Sequence, residues 1–330
     1  MNLASLGEFG LIARIRQAVT DPADLRLGIG DDCAAVVPPP GELLLTTTDL
    51  LIEGVHFNRD WTSPEALGRK SVAVNVSDIA AMGGIPRQIF LGLGVPADFP
   101  LSDIEGFLAG VLAATAEYGA TLAGGDTCRS PGPLLISVTA QGSVPPGELL
   151  TRSGARPGDA VYVSGTLGDS ALALRQLQAG TLPEPALARR HHDPQARVAL
   201  GRELASGNLA SAMIDLSDGL LGDLGHILSA SNVGARLFPG QLPRSEALMT
   251  ALPEALAQQA LALTGGEDYE LLFTVPSAQE AAVAALATTE LPLTRIGEIR
   301  AEAGLELLAA DGSALPLPAG GFKHFGPTSR

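Results

Sequence analysis

The residues best suited to chemistry in this sequence are aspartates that end apolar runs and stand beside glycine, serine or threonine. They are Asp31, Asp32, Asp49, Asp78, Asp126, Asp215 and Asp218. A carboxylate at such a point lies where a strand or helix leaves the core, and this rigid placement suits a hard, oxygen-ligated cation such as Mg²⁺. Any one of these residues alone could instead be a helix N-cap or an Asx turn, so the interpretation depends on the whole set.

The most specific stretch of this kind is Asp-Leu-Ser-Asp-Gly at 215–219. Asp215 and Asp218 are three residues apart, and their side chains converge if the segment turns into the helix that follows. Ser217 would add a hydroxyl to the two carboxylates. The pattern predicts an oxygen-rich site at this turn.

Phosphoryl transfer is the reaction that best explains so many separated carboxylates, because its reacting groups are polyanions that metal ions neutralise and position. The familiar nucleotide-binding and kinase motifs are missing, and so is the motif of serine hydrolases. There is no P-loop, since arginine separates glycine from lysine at 68–71, and there is no His-Arg-Asp loop or Gly-x-Ser-x-Gly motif. The adjacent pair His191 and His192 lies in a charged stretch, so we predict both to be surface residues.

The amino-acid composition limits the classes of partner that this protein can bind. The 330 residues are 46% hydrophobic, which supplies material for two packed cores. A formal net charge of −15 argues against nucleic acid as a partner, because a duplex is bound through an excess of lysine and arginine. Lys70 and Lys323 are the only lysines. An anionic substrate must therefore be neutralised mainly by arginine, backbone N–H groups or bound cations.

The sequence also predicts a compartment. Cys33 and Cys128 are the only cysteines, which fits a reducing environment. The N-terminal residues lack the basic and apolar regions of a secretory signal, and no uncharged apolar stretch long enough to cross a membrane follows. We expect a cytoplasmic protein without a membrane partner.

Hydrophobic periodicity predicts alternating helices and strands. In the first half, helices are expected at 65–82 and 101–119, the second capped by Ser102 and Glu105 and stopped by Gly119. Expected elements are strands at 43–49, 88–95, 134–142, 160–165 and 270–275, a helix from Leu220 and another capped by Ser277 and Glu280. Proline and glycine concentrate at 144–159. We place the domain junction there, giving domains 1–148 and 149–330.

Nine segments in order carry a resemblance to a known family. They are GEFGLIARI at 7–15, GIGDDCA at 28–34, TTTDLLIEGVHF at 46–57, NVSDIAAMGG at 75–84, GGDTCR at 124–129, LTRSGARPGD at 150–159, SGTLGDSA at 164–171, IDLSDGLLGDLGHI at 214–227 and GGEDYEL at 265–271. Together the sequence resembles the thiamine-monophosphate kinases, within the ATP-binding superfamily that includes aminoimidazole ribonucleotide synthetase and selenophosphate synthetase. The resemblance implies a mixed α/β fold. The N-terminal domain would bind ATP and Mg²⁺ and pair through a mixed sheet in a homodimer, and the C-terminal α/β domain would complete the substrate and metal site.

The resemblance also implies roles for individual residues. Several Mg²⁺ ions would bind Asp32, Thr47, Thr48, Asp49, Asp78, Asp126, Asp215 and Asp218, with Asp31 as a neighbour. ATP would contact Gly125, Asp126, Arg152 and Ser217, and Tyr118 by a looser alignment. Thiamine monophosphate would contact His56, Glu267 and Phe322. Arg152 could instead form a surface ion pair, and Phe322 could fill the core.

The implied reaction needs no general base. A phosphate monoester with a second pKa of about 6 is already largely ionised at neutral pH, so repulsion between polyanions is the main barrier. An aromatic side chain such as Phe322 could contact the cationic thiazolium. The nearest alternative is another member of the superfamily. Such enzymes typically begin with a glycine-rich segment that carries a reactive lysine or cysteine, and this alternative is disfavoured because no lysine precedes Lys70. A Mg²⁺-dependent phosphatase or a non-catalytic metal-binding protein is the alternative from another class, although an Asp-x-Asp phosphatase motif is missing.

Overall fold

A computed structural model describes residues 3–20, 22–29 and 33–318. The chain divides into two compact units. The first contains the chain up to Ala80 together with Gly84–Gly147, and the second contains Ala81–Gly83 and the chain from Glu148 onwards. Both units combine helices with a sheet, so the predicted mixed α/β class is confirmed.

The first unit is built on a mixed four-stranded sheet. Its elements are α1 (Leu3–Ala18), β1 (Leu25–Leu27), β2 (Ala35–Val36), β3 (Leu43–Ile52), α2 (Pro64–Ala81), β4 (Ile85–Pro96), α3 (Leu101–Glu117), β5 (Thr121–Ser130) and β6 (Leu135–Val144). The strand order is β3-β6-β4-β5, with β4 and β5 parallel and the other neighbours antiparallel, while β1 and β2 form a separate ribbon.

Helices α2 and α3 pack together with their backbones in close contact. A Cβ atom on Gly110 would lie 2.0 Å from the carbonyl oxygen of Glu65, and one on Gly68 would lie 2.1 Å from that of Phe107. Only glycine allows this approach. Buried Ile104, Phe107 and other α3 residues keep the predicted helical period.

Both predicted capping boxes are wrong. α3 begins at Leu101, one residue before Ser102, so the Ser102 hydroxyl lies inside the first turn and donates to Asp103. At the other site a 3₁₀ turn takes up Ser277–Gln279 and the helix begins at Glu280, without a side-chain cap. The predicted stop of α3 is confirmed, because Gly119 has φ +67 directly after Tyr118.

The second unit is built on a seven-stranded sheet. Its elements are β7 (Ala160–Ser164), α4 (Asp169–Gln178), α5 (Pro185–His192), α6 (Val198–Ser206), β8 (Ala212–Asp215), α7 (Leu220–Ser231), β9 (Gly234–Leu237), α8 (Glu246–Ala251), α9 (Ala255–Thr264), β10 (Leu271–Val275), α10 (Glu280–Leu286), β11 (Leu293–Arg300), β12 (Gly304–Leu308) and β13 (Ala314–Leu315). The strand order is β13-β12-β9-β11-β7-β10-β8.

Both faces of this sheet are covered, and its central strands β7 and β10 are therefore buried along their whole length. Val161, Val163 and Leu272 pack on the face that carries α7, and Tyr162 and Phe273 pack on the face that carries α6. Alternate residues of one strand thus serve two cores. Two loops that carry predicted functional residues adjoin these strands, one directly after β8 and one directly before β10.

Candidate active site

In the first unit, β3 and α2 bring together three of the predicted metal ligands. Thr47 and Asp49 are two residues apart on β3 and point to the same face of the sheet. The Thr47 hydroxyl donates to Asp78 Oδ2 at 2.5 Å. Burial, and then the negative charge of Asp78, raises the pKa of Asp49 to about 6. Two carboxylates and a hydroxyl therefore share one partly buried spot.

Thr48 faces the other side of the same sheet. Its hydroxyl donates to the carbonyl of Val138 at 3.1 Å and accepts from Thr139 Oγ1 at 3.0 Å. The strand alternation that aligns Thr47 with Asp49 necessarily turns Thr48 away from them. A contribution of Thr48 to the same metal site would have to come from its main chain.

Gly125 and Asp126 line a cavity of about 740 Å³ in the first unit. This volume lies within the range typical of small-molecule sites. Much of the lining is apolar, including Ile12, Ile15 and Phe90. A Cβ atom on Gly125 would lie 2.0 Å from the carbonyl oxygen of Leu91, so the close approach of β4 requires glycine there.

Two further predicted contacts of the first unit lie elsewhere. Tyr118 caps the C-terminus of α3, where its N–H donates to the carbonyl of Ala114 at 3.0 Å, and it does not line the cavity as far as the described residues show. His56 lies in the turn after β3, and its Nδ1 accepts from the backbone N–H of Ile52 at 3.0 Å. The ring proton of neutral His56 is therefore on Nε2.

In the second unit, two loops that are distant in sequence are joined by backbone hydrogen bonds. The N–H of Glu267 donates to the carbonyl of Ser217 at 2.8 Å, and that of Tyr269 donates to the carbonyl of Leu216 at 2.8 Å. Asp215 ends β8 opposite Leu271 and is 4% exposed. The structure thus brings the predicted nucleotide contact Ser217 next to the predicted acceptor contact Glu267.

Asp223 organises the 215–219 loop and was missed by the sequence analysis. Its Oδ2 accepts from the N–H of Gly219 at 3.0 Å and from that of Asp218 at 3.2 Å. Burial, and then the charge of Asp218, raises the pKa of Asp223 to about 7. The signal was present, since an acidic residue in the first turn of α7 is placed to accept from the N–H groups that begin the helix.

A buried ionic cluster behind the 265–270 loop was also missed. Glu270 is fully buried, and its carboxylate accepts from Arg190 at 2.8 Å, from Arg197 Nε at 2.7 Å and from the Ser164 hydroxyl at 2.5 Å. Burial alone would raise the pKa of Glu270, but the two guanidinium groups outweigh it and hold the pKa below its usual value. The arginines lie 80 and 73 residues from Glu270 in sequence, so no local pattern indicates the pairing.

The prediction that both histidines of the 191–192 pair are surface residues is wrong for His191. Its side chain is 5% exposed, and its Nδ1 lies 2.9 Å from Ser170 Oγ and 3.3 Å from Glu267 Oε2. The charged stretch forms the last turn of α5, and one side of that turn faces the protein interior. Helical periodicity places neighbouring residues on different faces, which the charge pattern alone did not reveal.

Four further site residues were predicted from the sequence. Asp31, Asp32 and Phe322 lie outside the described residues. Arg152 is exposed, and its carbonyl accepts from the Ser231 hydroxyl at 3.2 Å. Arg152 belongs to a segment that Ser231 also holds through the N–H groups of Gly154 and Ala155.

The donor set of the first unit fits Mg²⁺. The part of the chain that the structure describes contains no group of three or more histidine, cysteine, aspartate or glutamate side chains placed to hold a metal ion. Asp49 and Asp78 are nevertheless close enough to raise the pKa of Asp49, and the hydroxyl of Thr47 lies beside them. All these donors are oxygens, and a bound cation would relieve the repulsion between the two carboxylates.

Comparison with known proteins identifies the family. Residues 30–144 match the N-terminal domain of AIR synthase related protein, and residues 156–309 match its C-terminal domain. The chain is 43% identical to thiamine-monophosphate kinase of Escherichia coli strain K12 over 97% of this chain and 98% of that protein. It is 35% identical to the enzyme of Bacillus subtilis strain 168 over 97% of this chain and 100% of that protein.

Solved structures agree with this assignment. The crystal structure of thiamine-monophosphate kinase from Stenotrophomonas maltophilia K279a superposes with a TM-score of 0.84 at 43% identity and covers 96% of this chain and 99% of that one. AaThiL complexed with AMPPCP and TMP superposes with a TM-score of 0.77 at 37% identity, covering 98% and 99%. The resemblance seen in the sequence is confirmed. The chain belongs to the AIR synthase-related family and, within it, to the thiamine-monophosphate kinases.

Proposed function

We propose that this protein transfers the γ-phosphoryl group of ATP to thiamine monophosphate, giving thiamine diphosphate and ADP. The observation that carries the proposal is the 37% identity, over 98% of this chain, to AaThiL complexed with AMPPCP and TMP. The thiamine-monophosphate kinases of Escherichia coli strain K12 and Bacillus subtilis strain 168 each match 97% of the chain. Similarity along both units matters because the proposed site residues lie in both.

The proposed reaction requires positioning more than acid–base catalysis. An oxygen of the acceptor phosphate forms a bond to the γ-phosphorus while the bond from that phosphorus to the bridging oxygen breaks, and ADP leaves with the electron pair. The acceptor phosphate, with a second pKa of about 6, is already mostly dianionic at neutral pH. The residues of the chain therefore act by binding, orienting and neutralising the two substrates.

For the nucleotide we propose the cavity at Gly125 and Asp126. Its apolar lining, which includes Ile12, Ile15 and Phe90, suits a purine ring, and Gly124 and Gly125 contribute backbone without side chains to the cavity wall. Ser217, Arg152 and Tyr118 remain proposed nucleotide contacts by family resemblance.

For Mg²⁺ we propose ligands in both units. Thr47, Asp49 and Asp78 form the oxygen-donor set described above, and Asp126, Asp215 and Asp218 are further proposed ligands. The family pattern adds Asp31, Asp32 and Thr48. When bound, Mg²⁺ supplies charge neutralisation for the transferred phosphoryl group. The role of the chain is to hold each carboxylate at a fixed point of the element that carries it, β3 and α2 in the first unit and β8 in the second.

For thiamine monophosphate we propose contacts with His56, Glu267 and Phe322. Glu267 carries a carboxylate that attracts the cationic thiazolium, and 25% of its side chain is exposed, so a ligand can reach it. His56, with its proton on Nε2, can donate a hydrogen bond to an acceptor group. These contacts select the acceptor, while the aspartates serve the chemistry.

We also propose a homodimer that pairs through the first unit. β3 is an edge strand of its sheet, and on its outer face Leu44 is 50% exposed and Leu50 is 54% exposed. Apolar side chains grouped on an exposed sheet face suit a protein interface. Sedimentation of the wild-type protein tests this proposal. A dimer that dissociates when Leu44 and Leu50 are both changed to glutamate supports it, and a monomeric wild type overturns it.

The proposed location is the cytoplasm. Among the residues that the structure describes, no helix is long and apolar enough to cross a membrane. Cys33 and Cys128 are both exposed free thiols, which suits a reducing compartment.

The proposed activity is tested by incubating the purified protein with ATP, Mg²⁺ and thiamine monophosphate and measuring thiamine diphosphate and ADP by chromatography. Thiamine replaces the acceptor in the control reaction. We expect thiamine diphosphate and ADP only when thiamine monophosphate is the acceptor. The absence of thiamine diphosphate from that reaction would overturn the proposal.

A matched pair of variants tests the metal role. Asp126→Asn keeps shape but removes charge, so it should weaken Mg²⁺-dependent ATP binding in calorimetry while the protein stays folded. Asp98→Asn makes the same change at an exposed position and should have no effect. An unchanged Mg²⁺ dependence in Asp126→Asn would identify Asp126 as a structural residue.

A further inference from the structure

The last turn of α5 packs against the loop that carries Glu267. Within the second unit, Leu187 and His191 form the buried side of this helix. Arg190 and His191 each reach the 265–270 loop, although 70 or more residues separate helix and loop along the chain. Two consecutive residues of one helix therefore contact one loop through different groups.

The loop needs such support because its backbone is strained. Glu267 has φ +64 and Tyr269 has φ +50. Residues with side chains rarely adopt the left-handed region, and a conformation of this kind persists only where the surroundings enforce it. Strained residues of this type concentrate at ligand sites. The surroundings of Glu267 therefore indicate what holds it in place.

Arg190 holds the main chain of the loop. Its Nη2 donates to the carbonyl of Asp268 at 3.1 Å and to Glu270 Oε1 at 2.8 Å. On the other side, Asp268 Oδ2 accepts from the N–H of Gly168 at 2.9 Å. Both contacts involve residues that follow Glu267, so they restrain the backbone beside it and leave its carboxylate to be oriented by a further contact.

His191 provides that contact. Its Nδ1 lies 3.3 Å from Glu267 Oε2 and 2.9 Å from the Oγ of Ser170, which is 1% exposed. With the ring proton on Nδ1, the ring donates to Ser170 Oγ, and the same N–H faces the Glu267 carboxylate, which can only accept. The Ser170 hydroxyl fixes the plane of the ring. Because both His191 and Ser170 are buried, this arrangement is sheltered from water.

We propose that His191 is a positioning residue that orients the Glu267 carboxylate for the acceptor substrate, an inference that rests on the proposed role of Glu267. His191 does not touch the reacting atoms. It acts by holding one carboxylate oxygen from behind, so that the other is directed towards a cationic ligand. A loop with a strained backbone and a single oriented carboxylate is preorganised for binding, and preorganisation lowers the cost of binding.

The test compares steady-state kinetics of His191→Ala with the wild type, varying thiamine monophosphate at saturating ATP and then the reverse. We expect the KM for thiamine monophosphate to rise about tenfold, as the loss of one hydrogen bond to a charged group predicts. The KM for ATP and kcat should each change less than about twofold. Equal changes in both KM values, or no change in either, would overturn the proposal.

Two conservative variants make the test specific to one nitrogen. In His191→Asn the side-chain amide is attached to Cγ, as Nδ1 is, so its N–H can replace the contact with Glu267. In His191→Gln the amide lies one bond further out, near the position of Nε2. We expect Asn to restore most of the affinity and Gln to restore little. The opposite order would refute the assignment of Nδ1. Both variants keep a polar side chain, so they can carry the test if His191→Ala does not fold.

Two controls complete the design. His226→Ala removes an exposed histidine of α7 and should leave both KM values unchanged. On a Glu267→Ala background, His191→Asn and His191→Gln should no longer differ, because the accepting side chain is gone, whereas a persistent difference would show that His191 acts elsewhere. A wild-type protein that makes no thiamine diphosphate overturns the proposed function, while an active wild type with an insensitive His191→Ala overturns only this inference.

Discussion

The two units place their functional side chains by different means. In the first unit, Thr47, Asp49 and Asp78 lie on a regular strand and a regular helix, and the positions follow from strand and helix periodicity. In the second unit, Ser217 and Glu267 lie on loops, and a buried set of charges behind those loops holds them. The first arrangement depends on how closely the regular elements pack against each other. The second depends on the pairing of buried charged side chains.

The largest expected effect is at the centre of the charge cluster. Glu270→Gln removes the charge that faces Arg190 and Arg197, whose side chains are 19% and 15% exposed, and leaves both guanidinium groups without their shared carboxylate. We expect the free energy of unfolding to fall by about 3–5 kcal/mol in urea denaturation. Glu117→Gln, which breaks the exposed pair with Arg69, should cost less than about 1 kcal/mol. Equal losses in the two variants would contradict the contrast between buried and exposed charges.

The second prediction concerns pH. Burial raises the pKa of Asp268 to about 8, with Asp169 and Glu270 adding to the shift and Arg190 opposing it. The folded protein then holds a proton that the unfolded chain releases near pH 4, so this group makes stability fall as pH rises from about 4 to 8. The slope is about 1.4 kcal/mol per pH unit for one proton.

The measurement is the difference in unfolding free energy between the wild type and Asp268→Asn at pH 5, 6 and 7. The asparagine cannot ionise, and its oxygen can still accept from Gly168. We therefore expect the unfolding free energy of the variant, relative to that of the wild type, to rise by about 2–3 kcal/mol between pH 5 and 7. Parallel curves would show that Asp268 is ionised in the fold.

The third prediction tests volume in the first unit. Gly110→Ala places a Cβ 2.0 Å from the backbone of Glu65, so α2 and α3 must separate. We expect a loss of about 1–3 kcal/mol in unfolding free energy. Gly225→Ala on α7 meets no atom within 4 Å and should instead stabilise by about 0.5–1 kcal/mol. Stabilisation by both substitutions would show that the helix contact is not a constraint.

The smallest expected effect is at Thr47. Thr47→Val keeps the shape of the side chain and removes the hydroxyl that donates to Asp78. We expect a loss of about 1 kcal/mol in unfolding free energy, since a single hydrogen bond on a regular element is removed. A loss as large as that of Glu270→Gln would mean that the two units do not differ in the way proposed.

Periodicity was sufficient for most elements of the fold. The helices at 65–82 and 101–119 and the strands at 43–49 and 88–95 were predicted within a few residues, because buried side chains recur at the spacing of the element that buries them. The helix starts at Leu101 and Glu280 were predicted with the wrong caps. A cap depends on where the first turn closes, which one or two residues of backbone geometry decide.

The candidate site divides in the same way. Asp49, Asp78, Asp215 and Asp218 were proposed as ligands because each lies at the end of an apolar run, and the family resemblance added His56, Glu267 and the nucleotide contacts as proposals. Asp223 could have been found from its position in the first turn of a helix. His191, Arg190 and Arg197 could not, because their partners are distant in sequence and their stretch is as charged as a solvated surface.

The sequence by itself determined the mixed α/β class, the carboxylates suited to an oxygen-ligated metal and the family, because these depend on residue type, spacing and the order of motifs. Only the tertiary structure decided that Thr48 faces away from Asp49, that His191 is buried against Glu267 and that Glu270 is neutralised by two arginines. The contacts of His191 and of Glu270 join residues more than 70 positions apart, and burial changes the energy of a charge in a way that composition does not record.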